Sequence, residues 1–287
     1  MFFCRSFSAR NRRPHERTAN APKAAKIPSV SVRPSSIARQ FRTLWTGVRA
    51  NGFSHTAGYV RSRVRDAYKV YVDGSFDRRY GTDTAGWVDL TDLTCVGAGG
   101  IEQSIYYEAT AEPIFYQLFG ALPKLEYEKF TFVDYGSGKG RILLLAAQHP
   151  FRAVTGVEFA VELHETALRN FERYRNPKQK CFALSSVLMD AADYDPPDGP
   201  CVFMFHSPFR RPLLTPIIER IKRSIRENPR EAYLIYYGTI PDCVEYILNC
   251  GIPCREIQLQ HHYTERTQTR RAFLLTAAPA ARSQPAC

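Results

Sequence analysis

The chain has 287 residues, 44% of them hydrophobic and 23% charged, with a formal net charge of +11. That size and balance fit one large or two small globular domains, and the lack of any run of about 18 apolar residues excludes a membrane-spanning helix. Eight cysteines scattered from Cys4 to Cys287 in a chain of this length exclude a small disulfide-stapled secreted domain.

The positive charge is local. Residues 1–72 hold 15 Lys and Arg against only Glu16 and Asp66, a balance of +13, whereas residues 73–287 hold 24 basic and 26 acidic residues, a balance of −2. Residues 1–36, rich in Arg, Ser, Ala and Pro, have no sustained apolar periodicity and are expected to form a basic disordered arm. The acid-free start, MFFCRSFSAR, has the composition of a mitochondrial transit peptide. The alternative, an unstructured basic extension on a cytoplasmic protein, is the reading adopted.

Residues 37–105 are expected to form amphipathic helices and a lead-in loop. Ile37, Phe41, Leu44, Trp45 and Val48 recur at helical spacing with Arg39, Arg42 and Arg49 on other faces, and Tyr59–Val70 repeats the pattern. Such helices can dock on nucleic acid or an anionic membrane, or pack their apolar sides inward and leave the arginines solvated. No aromatic-interleaved surface accompanies the arginines, so the second reading is preferred and nucleic acid is not the favoured partner. A loop dense in Gly, Asp and Thr follows, FDRRYGTDTAGW over Phe76–Trp87. Then Tyr106-Tyr107-Glu108-Ala109-Thr110 precedes a helix expected over 111–122, with Thr110 placed as its N-cap and Glu112-Pro113 in its first turn.

The stretch 130–159 is the centre of the chain. Phe130–Val133 reads as a buried strand, Asp134 ends it, and Gly136-Ser137-Gly138-Lys139-Gly140 follows at once. Arg141–Ala147 reads as a helix and Ala153–Val157 as a second strand that delivers Glu158 and Phe159. The glycines permit positive φ and remove Cβ atoms from the path of a ligand. The helix start offers N–H groups and a positive dipole end to a carboxylate or phosphate. Glu158, 22 positions after Gly136, can reach a ribose diol from the end of the neighbouring strand. A nucleoside-containing ligand is expected. Arg141 breaks the dinucleotide pattern G-x-G-x-x-G, and Val133 and Gly140 break the phosphate-loop pattern.

What fits is Asp134-x-Gly136-x-Gly138-x-Gly140. This stretch resembles motif I of the class I S-adenosylmethionine-dependent methyltransferases, with Glu158 matching their ribose-binding acid. The lead-in resembles a group of bacterial methyltransferase-like proteins with D-R-R-[YH]-G-x-D-T and Y-x-P-T patterns, although Ala109 stands in the proline position. The resemblance implies S-adenosylmethionine as cofactor. It places Tyr107, Thr110, Asp134, Gly136, Ser137, Gly138, Gly140, Glu158 and Phe159 around the cofactor. It also implies an acid for the adenine amino group, Asp190, with Asp193 as the near alternative.

The remaining elements alternate. A helix over Val161–Tyr174 is followed by a third strand beginning at Cys181-Phe182-Ala183-Leu184, a loop over Met189–Tyr194 and a fourth strand over Cys201–Phe205. Helix Leu213–Arg226, strand Ala232–Tyr237, helix Pro241–Asn249 and strands Arg255–His261 and Arg271–Thr276 complete the domain. Right-handed crossovers make such a sheet parallel, while the short last connection makes the final two strands antiparallel neighbours. The expected fold is therefore a Rossmann-like α/β, seven-stranded, mostly parallel sheet with a final antiparallel strand. It covers residues 106–277, and 278–287 form a flexible tail. Cys243, Cys250 and Cys254 with His261 and His262 lack a C-x-x-C pair, so no metal site is expected.

The end of the fourth strand, His206-Ser207-Pro208-Phe209, partly resembles the [DNS]-P-P-[YF] motif of amino-methylating enzymes, with one proline missing. Ser207 and Phe209 then hold an acceptor nitrogen, on a protein amino group or a small molecule, and His206 is a candidate general base. The function expected is S-adenosylmethionine-dependent methyl transfer. The alternatives are an aminopropyl transferase on the same fold and a non-catalytic nucleic-acid-binding module with a vestigial pocket.

Overall fold

The computed structural model describes residues 74–97, 106–206, 209–260 and 270–277. The basic arm 1–36, the amphipathic segments within 37–71, Ser207, His261, His262 and the tail 278–287 lie outside the described residues.

Strands β1 (Trp87–Asp89) and β2 (Tyr106–Glu108) form an antiparallel ribbon in which Trp87 pairs with Glu108 and Val88 with Tyr107. Seven further strands form one sheet: β3 (Thr131–Tyr135), β4 (Ala153–Glu158), β5 (Leu184–Leu188), β6 (Cys201–His206), β7 (Ala232–Gly238), β8 (Cys254–Ile257) and β9 (Arg271–Ala277). Their spatial order is β5-β4-β3-β6-β7-β9-β8. The first five in that order pair in parallel, and β9 runs antiparallel to both β7 and β8. This is the expected mostly parallel sheet with its antiparallel strand, in the class I methyltransferase layout.

Every residue of β3 is buried, as a central parallel strand covered on both faces requires. Alternate residues feed two cores. Phe132, Val154, Val202 and Met204 meet the helices α1 (Glu112–Gly120) and α2 (Arg141–Ala146) on one face. Val133, Tyr135, Phe203 and Phe205 meet α4 (Arg211–Glu227) and α5 (Pro241–Asn249) on the other. Helix α3 (Val161–Arg173) follows β4. The chain runs outward from β3 through β4 to β5, then returns to the other side of β3 with β6. The carboxyl ends of β3, β4 and β6 therefore border a topological switch point, where such sheets bind ligands.

Three local expectations need correction. The third strand begins at Leu184, not Cys181, because Cys181 turns into the core while Phe182 and Ala183 are exposed. Helix α1 starts at Glu112 with Ala111 at its N-cap position and no side-chain cap bond, so Thr110 is not the cap. The strand expected over Arg255–His261 spans Cys254–Ile257, with residues 258–260 outside it.

Candidate functional site

The carboxyl ends of β3, β4 and β6 open onto a cleft with an empty volume of about 580 Å³, its open mouth included. Asp134, Gly136, Ser137 and Gly138 form its floor, Glu158 and Phe159 one wall, His206 and Phe209 another, and Tyr106–Thr110 its cover. A smaller hollow of about 230 Å³ continues from it, sharing Gly136, Phe159 and Phe209 and adding Met189 and Asp190. The two expected adenine acids separate here. Asp190 lines the hollow while Asp193 is exposed outside it. Asp190 also caps the short turn Ala191–Asp193 by accepting from Ala192 N at 3.0 Å.

Glu158 is fully buried, and each of its oxygens is engaged. Oε2 accepts from Gly138 N at 2.7 Å; Oε1 accepts from Phe159 N at 3.0 Å and Ala160 N at 2.9 Å. Burial pushes its carboxyl above the usual range, and these amides pull against that shift. A carboxylate offers about four lone-pair sites; the two on Oε1 are taken, so the remaining acceptor capacity toward a ligand lies on Oε2.

The glycine turn is not the free amide cradle that its sequence suggests. Gly136 N and Ser137 N donate to Val157 O at 2.9 and 3.1 Å, Gly138 N to Glu158, and Gly140 N to Ser137 O at 2.9 Å. Gly138, at φ 54°, faces the ring of Tyr107, which a Cβ at 138 would overlap. Gly140 lies off the cleft and packs on α3, where an added Cβ would sit 3.2 Å from Ala167 Cβ. Its glycine serves helix packing and not ligand access. Gly156 has the same kind of role, since a Cβ there would approach Ser137 Cβ and Leu143 Cδ1 at 2.6 Å.

Beneath the turn, Asp134 is buried and its Oδ1 has no hydrogen-bond partner; nor has Ser137 Oγ. Burial, with the charge of Glu158 beside it, pushes the Asp134 carboxyl well above the usual carboxylate range. Two unsatisfied buried oxygens on the floor of one cleft are atoms that a cationic donor would satisfy.

Thr110 and His206 are brought together at the far end. Thr110 Oγ1 lies 2.6 Å from His206 Nδ1, and Arg270 Nη1 lies 3.0 Å from His206 Nε2. Arg270 also pairs with Glu108 and sits over the ring of Tyr237, which stacks on His206 at 5.0 Å. Both ring nitrogens of His206 are therefore engaged, and the general-base role expected for it has no free lone pair in this arrangement. Phe209 is buried and lines both hollows.

The loop motif was visible in the sequence, but its role was not. Asp77 gathers it by accepting from Thr82 Oγ1, Thr84 Oγ1, Thr84 N and Ala85 N at 2.6–2.8 Å. Burial alone would raise Asp77; those bonds hold its carboxyl below the usual range. Arg141 Nε donates to Thr84 Oγ1 at 2.7 Å, Lys139 pairs with Asp83 at 3.0 Å, and Tyr107 donates its hydroxyl to Thr84 O. The loop is thereby pinned to the glycine turn and to the cover of the cleft. Glu108, Arg270 and Tyr237 carried no sequence signal at all.

No family model matches the chain, and no curated protein does. Solved structures resemble it at low identity. An RNA methyltransferase from Salinibacter ruber, in complex with S-adenosyl-L-homocysteine, is 13% identical over 61% of this chain and 97% of its own, with a TM-score of 0.39. The human methyltransferase 10 domain containing protein is 13% identical over 75% and 97%, at 0.42. A precorrin-6y C5,15-methyltransferase from Geobacter metallireducens is 13% identical over 69% and 98%, at 0.39. The first of these is named for RNA and the third for precorrin-6y, and the fold stands on the strand order of the chain itself. No helix among the described residues is long and apolar enough to cross a membrane.

Proposed function

We propose that this protein binds S-adenosylmethionine in the cleft and transfers its methyl group to an acceptor nitrogen. The observation that carries the reading is the pair of buried carboxylates, Asp134 and Glu158, under a glycine turn at the sheet's switch point, with Asp134 Oδ1 and Ser137 Oγ unsatisfied. The residues fit the cofactor's chemistry. Asp134 and Ser137 suit its ammonium end, Glu158 its ribose diol, and Asp190 in the adjoining hollow its adenine amino group. Bound there, the cofactor supplies a methyl group already activated on a positive sulfur. The chain supplies position and dryness. Phe209 shields the reacting end from water, and Thr110 and Arg270 fix the ring of His206. His206 is read as a positioning residue. A nitrogen acceptor is favoured by the likeness of His206–Phe209 to the amino-methylating motif and by the place of Phe209 in the cleft.

One observation keeps the aminopropyl transferase reading in play. Four amides of the turn are already bonded within the chain, so a cofactor lacking its carboxylate would lose nothing from them. Calorimetry decides between the readings. S-adenosylmethionine and its demethylated product should bind, and NAD should not. Tighter binding of the decarboxylated cofactor would favour the alternative, and a chain that binds none of the adenosyl ligands would sink both.

A further inference from the structure

The ribbon over the cleft carries two large aromatic rings with little to cover them. Trp87 is 60% exposed and Tyr106 41% exposed, with ring centroids 5.6 Å apart. The register Trp87↔Glu108 and Asp89↔Tyr106 puts Trp87, Tyr106 and Glu108 on one face of the ribbon. Tyr106 and Glu108 line the cleft mouth. The opposite face, with Val88 and Tyr107, packs on Leu90, Phe159 and Leu163. Burying these two rings inward would have been favourable, yet the ribbon turns them to the outside beside a cleft. The one acid that shares their face without lining the cleft, Asp89, folds back to accept from Thr91 N and Oγ1.

A second feature borders the same cleft. Phe209 lines it, and Arg210 and Arg211 follow directly, both exposed. They form the N-cap and first residue of α4, whose first turn holds no acid. A helix start disfavours cations, and neither arginine forms an ion pair among the described residues. Two arginines at the wrong end of a dipole, Arg211 lying over the ring of Tyr246 at 5.7 Å, and an aromatic pair, both bordering one cleft, suit an incoming polyanion that carries planar rings.

We infer that the acceptor is carried on a single-stranded nucleic acid, a base of which stacks at the Trp87–Tyr106 face outside the cleft, with phosphates of the strand on Arg210 and Arg211. The inference rests on the methyl-transfer reading of the cleft. Stacking needs an unpaired base, because a duplex hides both base faces. The balance of +13 over residues 1–72 adds long-range attraction for such a strand.

The test uses the full chain and labelled RNA and DNA strands of mixed sequence, about 12 nucleotides long, within the site sizes that stacking platforms cover. Anisotropy should report single-strand binding that weakens with salt. Trp87→Ala should weaken it about tenfold, and Trp87→Phe, which keeps a ring, should restore most of the loss. Arg210→Ala/Arg211→Ala should lower the magnitude of the log–log salt slope by about 1.4, the value for two phosphate contacts on a single strand. Both variants should keep parental affinity for S-adenosylmethionine, since neither Trp87 nor the arginines line the cofactor cleft. The RNA and DNA arms report whether the 2′-hydroxyl is read. A chain that holds the cofactor but binds no strand overturns the inference, as does duplex binding as tight as single-strand binding, or strand affinity that Trp87→Ala leaves unchanged. Strand binding without cofactor binding would instead fell the methyl-transfer reading.

Discussion

Arg270 Nη1 lies 3.0 Å from His206 Nε2, and a guanidinium has no acceptor, so Nε2 must offer its lone pair. The proton then sits on Nδ1 and is donated to Thr110 Oγ1, 2.6 Å away. His206 is thereby fixed as the neutral Nδ1–H tautomer, with Tyr237 stacked on one side. Nitrogen-15 spectra of the imidazole at neutral pH should show that tautomer alone. Arg270→Leu removes the donor that selects it, and a tautomer mixture should appear. Parental spectra dominated by Nε2–H would refute the arrangement.

The pair behind that histidine should also be visible in stability. Glu108 and Arg270 keep only 12% and 20% of their side chains exposed. Burial pulls the Arg270 guanidinium down, and Glu108 and Tyr237 together more than offset it, leaving a net upward shift. Removing one member strands the other's charge, which costs about 3 kcal/mol in buried pairs. Glu108→Ala should lose stability on that order in urea unfolding, and Glu108→Ala/Arg270→Leu should regain most of it. Additive losses would mean the two groups act independently.

How far the sequence reaches follows from these residues. Strand β3, its glycine turn and Glu158 were legible because their signal is local, an apolar run, three glycines and an acid at fixed spacing. The antiparallel end of the sheet was legible from a connection too short for a helix. The reacting end was not, since Arg270 lies 162 positions from Glu108 and 64 from His206. Only the topology, which places the start of β9 beside the end of β6 across β7, joins them. Short apolar runs also mislead. Phe182 looked like strand but is 78% exposed. The glycine turn misled differently, because spacing predicts where amides point and cannot show that Val157, Glu158 and Ser137 already accept them.

Glu158 should matter to both ligand and fold. Its carboxylate joins the turn to the end of β4 through three backbone N–H groups. Glu158→Ala leaves those buried donors unpaired, at about 1–3 kcal/mol of stability. It should also weaken S-adenosylmethionine by about tenfold or more through the lost ribose bond to Oε2. Thermal melts and calorimetry on one sample separate the two effects. A variant that melts like the parent would show the three bonds contribute little, and unchanged affinity would remove Glu158 from the site.

Asp134 gives a pH signature. Its folded carboxyl is raised well above its ordinary value of about 4 by burial and by Glu158. A raised folded value favours the protonated native state. The stabilisation is complete below about pH 4, the unfolded value, and is lost as pH rises through the folded one. Stability of the ligand-free chain should therefore fall with rising pH above that point, and Asp134→Asn should flatten that part of the slope. A cationic ligand reverses the balance, because an ammonium beside Asp134 and its open Oδ1 favours the ionised form. Binding of S-adenosylmethionine should accordingly release a proton wherever the free chain holds Asp134 protonated. Calorimetry in buffers of different ionisation enthalpy measures that release directly. Asp134→Asn should abolish it and weaken binding by about tenfold or more, the loss of a hydrogen bond to a charged group. Equal proton release from the parent and the Asn variant would assign the proton elsewhere and take Asp134 out of the ammonium site.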